Sequence, residues 1–158
     1  MDIDAEHRGL VEPVPEALER YLYEQIPLSA AMGVRVRMAT PDRVRLTAPL
    51  GPNVNHNETV FGGSAAALAT LSAWTLLHLR LARAELHARL VIQRSTMEYE
   101  RPIPGEFEAV CSFADELAWE RFRATLVRRG RARLSLAAHL VHDARQMATF
   151  AGDFVGML

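Results

Sequence analysis

A run of twenty residues, 60–79, contains no Asp, Glu, Lys or Arg, and no other feature limits so strongly what this chain can fold into. Its length is close to the roughly 18–20 apolar residues that span a bilayer. The run is rich in Gly, Ala, Ser and Thr, however, which contribute little to insertion into lipid. A helix that protein covers on nearly all sides has the same pattern. The sequence therefore predicts a buried central helix over residues 62–83, and no membrane is expected as a partner.

Alternating polar and apolar residues predict antiparallel strands on both sides of this helix. Before it, residues 34–38 and 44–48 alternate around a turn at 41–42, which indicates a hairpin. A helix over residues 15–26, stopped by Pro27, precedes that hairpin. After the central helix, five segments have the pattern of strands: residues 88–102, 106–114, 120–129, 132–143 and 146–158.

An antiparallel sheet of this size cannot cover its own apolar face, so the central helix is expected to lie across it. The chain has 158 residues, of which 49% are hydrophobic, and this is enough for one substantial core. We therefore expect a single α+β domain over residues 15–158, with a curved antiparallel sheet wrapped around one long central helix. Residues 1–14 show no periodicity and are expected to form an irregular arm.

Charge and cysteine content argue against several classes of function. The sum of Lys and Arg is 18 and that of Asp and Glu is 19, so no overall attraction to nucleic acid or to an anionic membrane is expected. The single cysteine, Cys111, excludes an internal disulfide, fits a reducing cytoplasm, and lies in a strand-like segment where a buried thiol is expected. The first residues lack a signal-peptide pattern, which also favours the cytoplasm. His78, His87, His139 and His142 are too scattered to predict a metal site.

An Asn-rich loop followed by a Gly-Gly-Ser turn, residues 52–64, separates the hairpin from the central helix and reads PNVNHNETVFGGS. This block resembles the YiiD C-terminal domain family, a branch of the hotdog-fold proteins. The resemblance extends over residues 20–157. It depends on Pro52, Asn53, Asn55, Thr59, Phe61, Gly63, Ser64, Trp74, Tyr99, Arg101, Pro102, residues 130–133 and Gly152.

The resemblance implies a hotdog homo-oligomer, either a homodimer or a dimer of dimers, with active sites at the subunit interface. It also implies the activity assigned to this branch, decarboxylation of malonyl-acyl carrier protein to acetyl-acyl carrier protein for fatty acid initiation. The substrate would be a thioester of acyl carrier protein or of coenzyme A. No cofactor is expected, because the phosphopantetheine arm arrives as part of the substrate.

The chemistry of the loop and helix can be compared with that expectation. Thioester hydrolysis usually needs a carboxylate or an imidazole that activates water. Many hotdog thioesterases have an Asp or Glu on the central helix about two turns after the Gly pair, where this chain has Thr70. Decarboxylation of a malonyl thioester instead needs donors that stabilise an enolate oxygen. The backbone N–H groups of Gly62, Gly63 or Ser64 at the helix start suit that role, and the Asn55 amide, which matches the family's functional Asn, adds another donor.

His56 is a candidate proton donor to the enolate or a base in hydrolysis, and Glu58 has a similar status. The residues expected to act in catalysis are Asn55, Gly62, Gly63 and His56. Those expected to contact substrate are Asn53, Thr59, Phe61, Ser64, Thr70 and Tyr99. Three structural alternatives stay open. Asn53 and Asn55 could anchor the loop, and the Gly pair could give clearance between helix and sheet. The Thr59 and Ser64 hydroxyls could serve as turn or cap groups. The sequence favours anchoring for Asn53 and catalysis for Asn55.

The densest positive cluster, RRGRAR at residues 128–133, is expected at a hairpin turn. It could contact the acidic surface of an acyl carrier protein or the phosphates of coenzyme A, or simply be solvated. Three functions stay open: the decarboxylase, an acyl thioesterase with Glu58, His56 or a partner-subunit group as base, and a module that binds acyl thioesters without turnover. The absence of a carboxylate on the central helix favours the decarboxylase.

Overall fold

The computed structural model describes residues 13–158, which form four helices and a six-stranded sheet. The helices are α1 (Pro15–Gln25), α2 (Pro27–Ala31), α3 (Gly62–Arg83) and α4 (Glu116–Arg129), with a 3-10 turn at Gly51–Asn53. The strands are β1 (Arg35–Ala39), β2 (Arg43–Ala48), β3 (Arg89–Tyr99), β4 (Phe107–Ser112), β5 (Arg131–His142) and β6 (Arg145–Met157). All neighbouring strands are antiparallel, in the order β1-β2-β4-β5-β6-β3.

Helix α3 lies at the centre of the hydrophobic core. Leu68, Leu76 and Leu77 are fully buried and belong to the same apolar cluster as Leu46 and Phe154 of the sheet. Within residues 13–158, α3 is the one helix long and apolar enough to cross a membrane. Of the apolar 18-residue window in α3, however, 72% is buried inside the fold. The predicted α+β architecture, with one long helix buried against an antiparallel sheet, is therefore confirmed.

The two edges of the sheet differ. At the β1 edge, α1 packs with Leu18 and Leu22 buried, and the Glu19 carboxylate accepts a hydrogen bond from the Val36 N–H (3.0 Å). Helix α1 ends at Gln25, two residues before Pro27, and Pro27 begins α2. At the other edge, β3 has no strand on its outer side among the described residues. The predicted irregular arm, residues 1–14, lies almost entirely outside the described part of the chain.

One predicted strand is wrong, because residues 120–129 belong to α4. Asp115 caps this helix by accepting a backbone hydrogen bond in its first turn (2.9 Å). Trp119, Phe122 and Leu126 are buried and are spaced three and four residues apart, as on one helix face. The described sheet therefore has six strands where the sequence pattern predicted seven.

The hairpin turn predicted for the arginine-rich segment 128–133 is also wrong. This segment forms the corner between α4 and β5. Gly130 adopts the left-handed conformation (φ +71°) that favours glycine at the end of a helix. Its N–H donates to the Leu126 carbonyl (2.8 Å), which ends α4 and lets β5 begin one residue later.

A buried arginine holds α4 against the central helix. The Arg80 side chain is 7% exposed, and its guanidinium donates to both Glu116 carboxylate oxygens (2.8 and 2.6 Å), to Asp42 Oδ1 (2.8 Å) and to the Pro41 carbonyl (2.7 Å). The guanidinium also lies 3.9 Å from the ring centroid of Phe113. Its hydrogen bonds to Glu116 raise the pKa of Arg80 and lower the pKa of Glu116.

Candidate active site

The Asn-rich loop before α3 closes through its own hydrogen bonds. Val54 and Val60 form an antiparallel bridge, and the Asn55 N–H donates to the Thr59 carbonyl (2.8 Å). Between them, the Asn55 Oδ1 atom accepts the backbone N–H groups of Asn57 (2.8 Å) and Thr59 (3.1 Å). The Asn55 side chain therefore shapes the loop, as one of the structural alternatives proposed.

The amide nitrogen of Asn55 remains the part of this side chain that can act on a ligand. One N–H donates to the Thr59 hydroxyl (3.0 Å), whereas the contact with the Val60 carbonyl is 3.5 Å, at the limit of a hydrogen bond. The side chain is half-buried and lines a cavity. Anchoring and donation are therefore compatible at Asn55, because its oxygen holds the loop while its nitrogen retains a weakly engaged proton.

Asn53 has a different position. It is 2% exposed, and its Nδ2 atom donates to the carbonyls of Met32 (2.9 Å) and Pro49 (2.8 Å). The backbone carbonyl of Asn53 accepts the Phe61 N–H (2.7 Å), so Asn53 links the loop to the start of α3. These contacts are those of an anchoring residue, which the sequence favoured; the predicted contact between Asn53 and substrate gains no support from them.

The first turn of α3 presents unused donors. Phe61 is the N-cap residue, and its carbonyl accepts the Ala65 N–H (3.0 Å). The N–H groups of Gly62, Gly63 and Ser64 have no acceptor within residues 13–158. No side chain caps this helix, so the cap role considered for Ser64 is wrong. Three donors at the positive end of the helix dipole are thus available to an anion.

A cavity of about 310 Å³ lies beside this turn. Four of the predicted site residues line it, namely Asn55, Thr59, Gly62 and Tyr99. The remaining lining residues are Val60, Ala65, Glu100, Arg101, Pro102, Ile103 and Ala148. The Tyr99 hydroxyl donates to the Gly62 carbonyl (3.0 Å), which fixes the end of β3 against the helix start. The structure therefore brings together the Asn-rich loop, the first turn of α3 and the end of β3.

Other predicted site residues lie away from this cavity. His56 is exposed, as is Glu58, which turns the loop with a positive φ of 61°. Thr70 lines a separate apolar groove of about 270 Å³, together with Trp74 and Ile92. Gly62 and Thr70 are eight residues apart, or roughly 12 Å along the helix. Within one chain, the loop and Thr70 therefore line different cavities.

The Gly pair has a steric role as well. A Cβ atom on Gly63 would lie 2.4 Å from Cε1 of the Phe61 ring, so that ring would have to move. A Cβ atom on Gly62 would meet the Tyr99 ring at 3.4 Å, which is an ordinary contact. Gly63 therefore allows the 57%-exposed Phe61 ring to fold back over the helix start.

Two charged residues of this cavity, Glu100 and Arg101, were given no role from the sequence. Both follow β3 directly, and both backbone N–H groups donate to the Met147 carbonyl (3.0 and 3.1 Å). The Glu100 carboxylate accepts a hydrogen bond from Gln146 (3.1 Å). Only the pairing of β3 with β6 places Glu100 beside the loop, so no local sequence pattern indicates it. Within residues 13–158, no three His, Cys, Asp or Glu side chains lie close enough together to hold a metal ion.

Comparisons with known proteins agree with this fold. Residues 15–158 match the family described as "Putative thioesterase (yiiD_Cterm)". A solved protein of unknown function from Chlorobaculum tepidum is 28% identical, with a TM-score of 0.84 over 90% of this chain and 96% of the other. A "putative thioesterase" from Shewanella oneidensis is 24% identical, with a TM-score of 0.80 over 91% of this chain and 97% of the other.

A third structure, a protein of unknown function and "probable thioesterase" from Pseudomonas aeruginosa, is 23% identical. Its TM-score is 0.76, and the match covers 92% of this chain and 97% of the other. The last two likenesses concern the fold, whereas the family match covers all but the first 14 residues. The chain belongs to the YiiD C-terminal thioesterase family of hotdog-fold proteins.

Proposed function

We propose that this protein decarboxylates malonyl-acyl carrier protein to acetyl-acyl carrier protein. The observation that carries the proposal is the combination of three unused N–H donors at the start of α3 with the lack of any Asp or Glu along that helix. Such a site can stabilise a developing oxygen anion, but the helix offers no base to activate water.

The reaction breaks the bond between the malonyl methylene carbon and the carboxylate carbon, which leaves as carbon dioxide. The electron pair moves into the thioester group and forms an enolate oxygen, which the N–H groups of Gly62 and Gly63 and the Asn55 amide stabilise. One proton then adds to the methylene carbon and gives the acetyl thioester. His56 was the predicted proton donor, but its exposed position outside the cavity makes water the simpler source in this proposal.

Product analysis tests the proposal directly. Purified protein incubated with malonyl-acyl carrier protein is expected to yield acetyl-acyl carrier protein and carbon dioxide, which intact-protein mass spectrometry detects as a 44 Da loss. Free malonate together with unacylated carrier protein would show hydrolysis and overturn the decarboxylase proposal. Tight binding without either product would favour a module that binds acyl thioesters without turnover.

An acyl thioesterase is the second candidate, and one observation favours it. Glu100 lines the same cavity as Asn55 and Tyr99, and its carboxylate is a candidate general base, although α3 has none. In this reading, Glu100→Gln abolishes hydrolysis of acyl thioesters, whereas the decarboxylase proposal expects Glu100→Gln to retain turnover within about threefold. Glu98→Gln is a matched control, because Glu98 is also exposed, lies two residues earlier at the end of β3, and does not line the cavity.

We further propose that the protein is a homodimer formed through β3. This strand leaves eleven residues unpaired on one side, and it exposes 48% of Val91 and 38% of Ile92. A long unpaired strand edge with exposed apolar side chains promotes association with another chain. The apolar groove around Trp74 opens at the same place, since Val91 and Ile92 line it.

Light scattering after size-exclusion chromatography tests the dimer. Wild-type protein is expected to elute at twice the mass of the chain, and Ile92→Lys is expected to shift it toward the monomer. Arg20→Glu is the control, since Arg20 is exposed on α1 at the other edge of the sheet. A wild-type protein that stays monomeric at micromolar concentration would contradict the proposal.

A further inference from the structure

An arginine-rich surface at the far end of the molecule takes no part in the site described above. It is formed by α4 and the first residues of β5, and its members are Arg121, Arg128, Arg129, Arg131 and Arg133. All five side chains are exposed, and none forms an ion pair within residues 13–158. We call these five residues the α4 surface.

Of the four carboxylates near the α4 surface, two are paired with other arginines. Asp115 caps α4, Glu116 is bound by Arg80, and Glu120 pairs with Arg123 (2.9 Å). Asp153, on the strand next to β5, accepts a hydrogen bond from the Ser135 hydroxyl (2.5 Å). Glu116 and Glu120 are thus neutralised by other arginines, whereas Asp115 and Asp153 keep their negative charge, so five positive charges face two negative ones, although the whole chain has a formal net charge of −1. Local excess charge of one sign on a nearly neutral protein favours a partner of opposite charge.

The shape of the α4 surface indicates the size of that partner. Arg121 and Arg133 line one cleft of about 390 Å³ between α4 and β5. From residue 117 to residue 128 the helix extends roughly 16 Å, which is wider than a single phosphate or diphosphate group. Leu117 and Val127 lie on α4 beside the arginines and are 69% and 59% exposed. Exposed apolar side chains among arginines are typical of a protein interface and are not expected of a surface that binds only phosphates.

We infer that the α4 surface docks the acidic carrier protein that bears the acyl thioester. This inference rests on the proposed function, because an acyl thioester must be the substrate for its carrier to need a docking surface. Arginines form charge-assisted hydrogen bonds with carboxylates of the carrier, while Leu117 and Val127 contact its apolar side chains. A coenzyme A thioester lacks such a protein surface and is expected to be indifferent to the α4 surface.

The proposed β3 dimer explains how a remote surface can serve the cavity. Arg80, which holds α4, and Gly62, at the cavity, are about 27 Å apart along α3. In this dimer, two copies of β3 pair antiparallel with their middle residues opposite each other. The start of β3 in one copy then lies beside the end of β3 in the other. The start of β3 pairs through β6 with the start of β5, since Met157 is the partner of both Arg89 and Arg131. The α4 surface of one copy then lies nearer to the cavity of the second copy than to its own.

The test compares two carriers with two variants. Arg129→Glu/Arg131→Glu reverses two charges on the α4 surface, and Arg20→Glu/Arg43→Glu reverses two exposed, unpaired arginines elsewhere. We expect the first variant to lower kcat/KM for malonyl-acyl carrier protein about tenfold or more and to leave turnover of malonyl-coenzyme A within twofold. The control variant is expected to stay within twofold on both substrates. An equal loss of kcat/KM on both substrates, or an unchanged kcat/KM for malonyl-acyl carrier protein, would overturn the inference.

A binding measurement separates the inference from the proposed function. If wild-type protein turned over no thioester, the function would fail, but fluorescence anisotropy with labelled malonyl-acyl carrier protein would still decide the docking. Expected results are binding by wild type that weakens from 50 to 300 mM salt, and at least tenfold weaker binding by Arg129→Glu/Arg131→Glu. Binding of a labelled oligonucleotide in place of the carrier protein would overturn the inference in favour of a nucleic-acid surface.

Discussion

Replacing Asn55 with Asp separates the two roles of this side chain, because it keeps the oxygen that shapes the loop and removes the amide donor. The Oδ1 position still accepts the N–H groups of Asn57 and Thr59. The new oxygen takes the place of Nδ2, 3.0 Å from the Thr59 hydroxyl, which can donate to it. We therefore expect Asn55→Asp to cost less than about 1 kcal/mol of unfolding free energy. Loss of one oxyanion donor, by contrast, typically lowers kcat by about 10²–10³, or roughly 2.7–4 kcal/mol of barrier.

Asn55→Ala is expected to behave differently. It removes the two accepted backbone hydrogen bonds and the bond to the Thr59 hydroxyl, at about 1 kcal/mol each. The expected loss is about 2–3 kcal/mol of unfolding free energy, or roughly 5–10 °C in Tm for a chain of this size. Thus kcat is expected to fall in both variants, whereas Tm falls clearly only in Asn55→Ala.

The assay is decarboxylation of malonyl-acyl carrier protein at saturating substrate, with calorimetry on the same preparations. Asn57→Asp is the control, since it adds the same charge two residues away on an exposed side chain and retains the Asn55 amide. It is expected to keep kcat within about threefold. If Asn55→Asp also kept kcat within threefold, or lost as much stability as Asn55→Ala, the assignment of separate roles to the oxygen and nitrogen would be refuted.

Three further predictions concern the helix start, the thiol and the buried arginine. Gly63→Ala is expected to lower kcat severalfold, because its new methyl group displaces the Phe61 ring, and to change Tm by less than about 2 °C, because that ring is mostly exposed. Gly62→Ala is expected to lower kcat less. A larger loss of kcat in Gly62→Ala than in Gly63→Ala would contradict the steric argument. Cys111 is buried, as predicted, and burial raises the pKa of its thiol to about 12. A thiol-specific reagent at pH 8 is therefore expected to react with Cys111 only after unfolding in denaturant. Rapid reaction of the native protein would contradict this prediction. Arg80→Ala is expected to lower Tm by at least about 5 °C in thermal unfolding, because it leaves two carboxylates and a carbonyl without their donor; an unchanged Tm would mean that α4 is held by its apolar face alone.

The central helix could be predicted from the sequence because a long uncharged run has few alternatives once Gly and Ala make a membrane span unfavourable. Helix α4 was missed because Arg121, Phe122 and Arg123 alternate as in a strand over the segment considered. Signals for the helix were present at its two ends, in Asp115 as a cap residue and Gly130 as a terminator. The apolar residues from Trp119 onward also have helical spacing.

The candidate site was predictable only where it is local in sequence. Asn55 and Gly62 are separated by a short loop, so their proximity follows from chain connectivity. Glu100 reaches the cavity through the register of β3 with β6, in which Tyr99 pairs with Ala148, and one sequence does not specify that register. Thr70 shows the opposite case: the resemblance placed it near the site, but within one chain the rise of the helix separates it from the loop and carries it to the groove beside β3.

The closed loop of residues 54–60 has a consequence for the kinetics of substrate capture. Its bridge between Val54 and Val60 and the hydrogen bonds of Asn55 are made entirely within the loop. Ordering a residue of backbone costs about 1–2 kcal/mol of conformational entropy, and this loop loses that entropy when the chain folds and not when substrate arrives. Association is therefore expected to be a single concentration-dependent step, without a slow phase in which the loop becomes ordered.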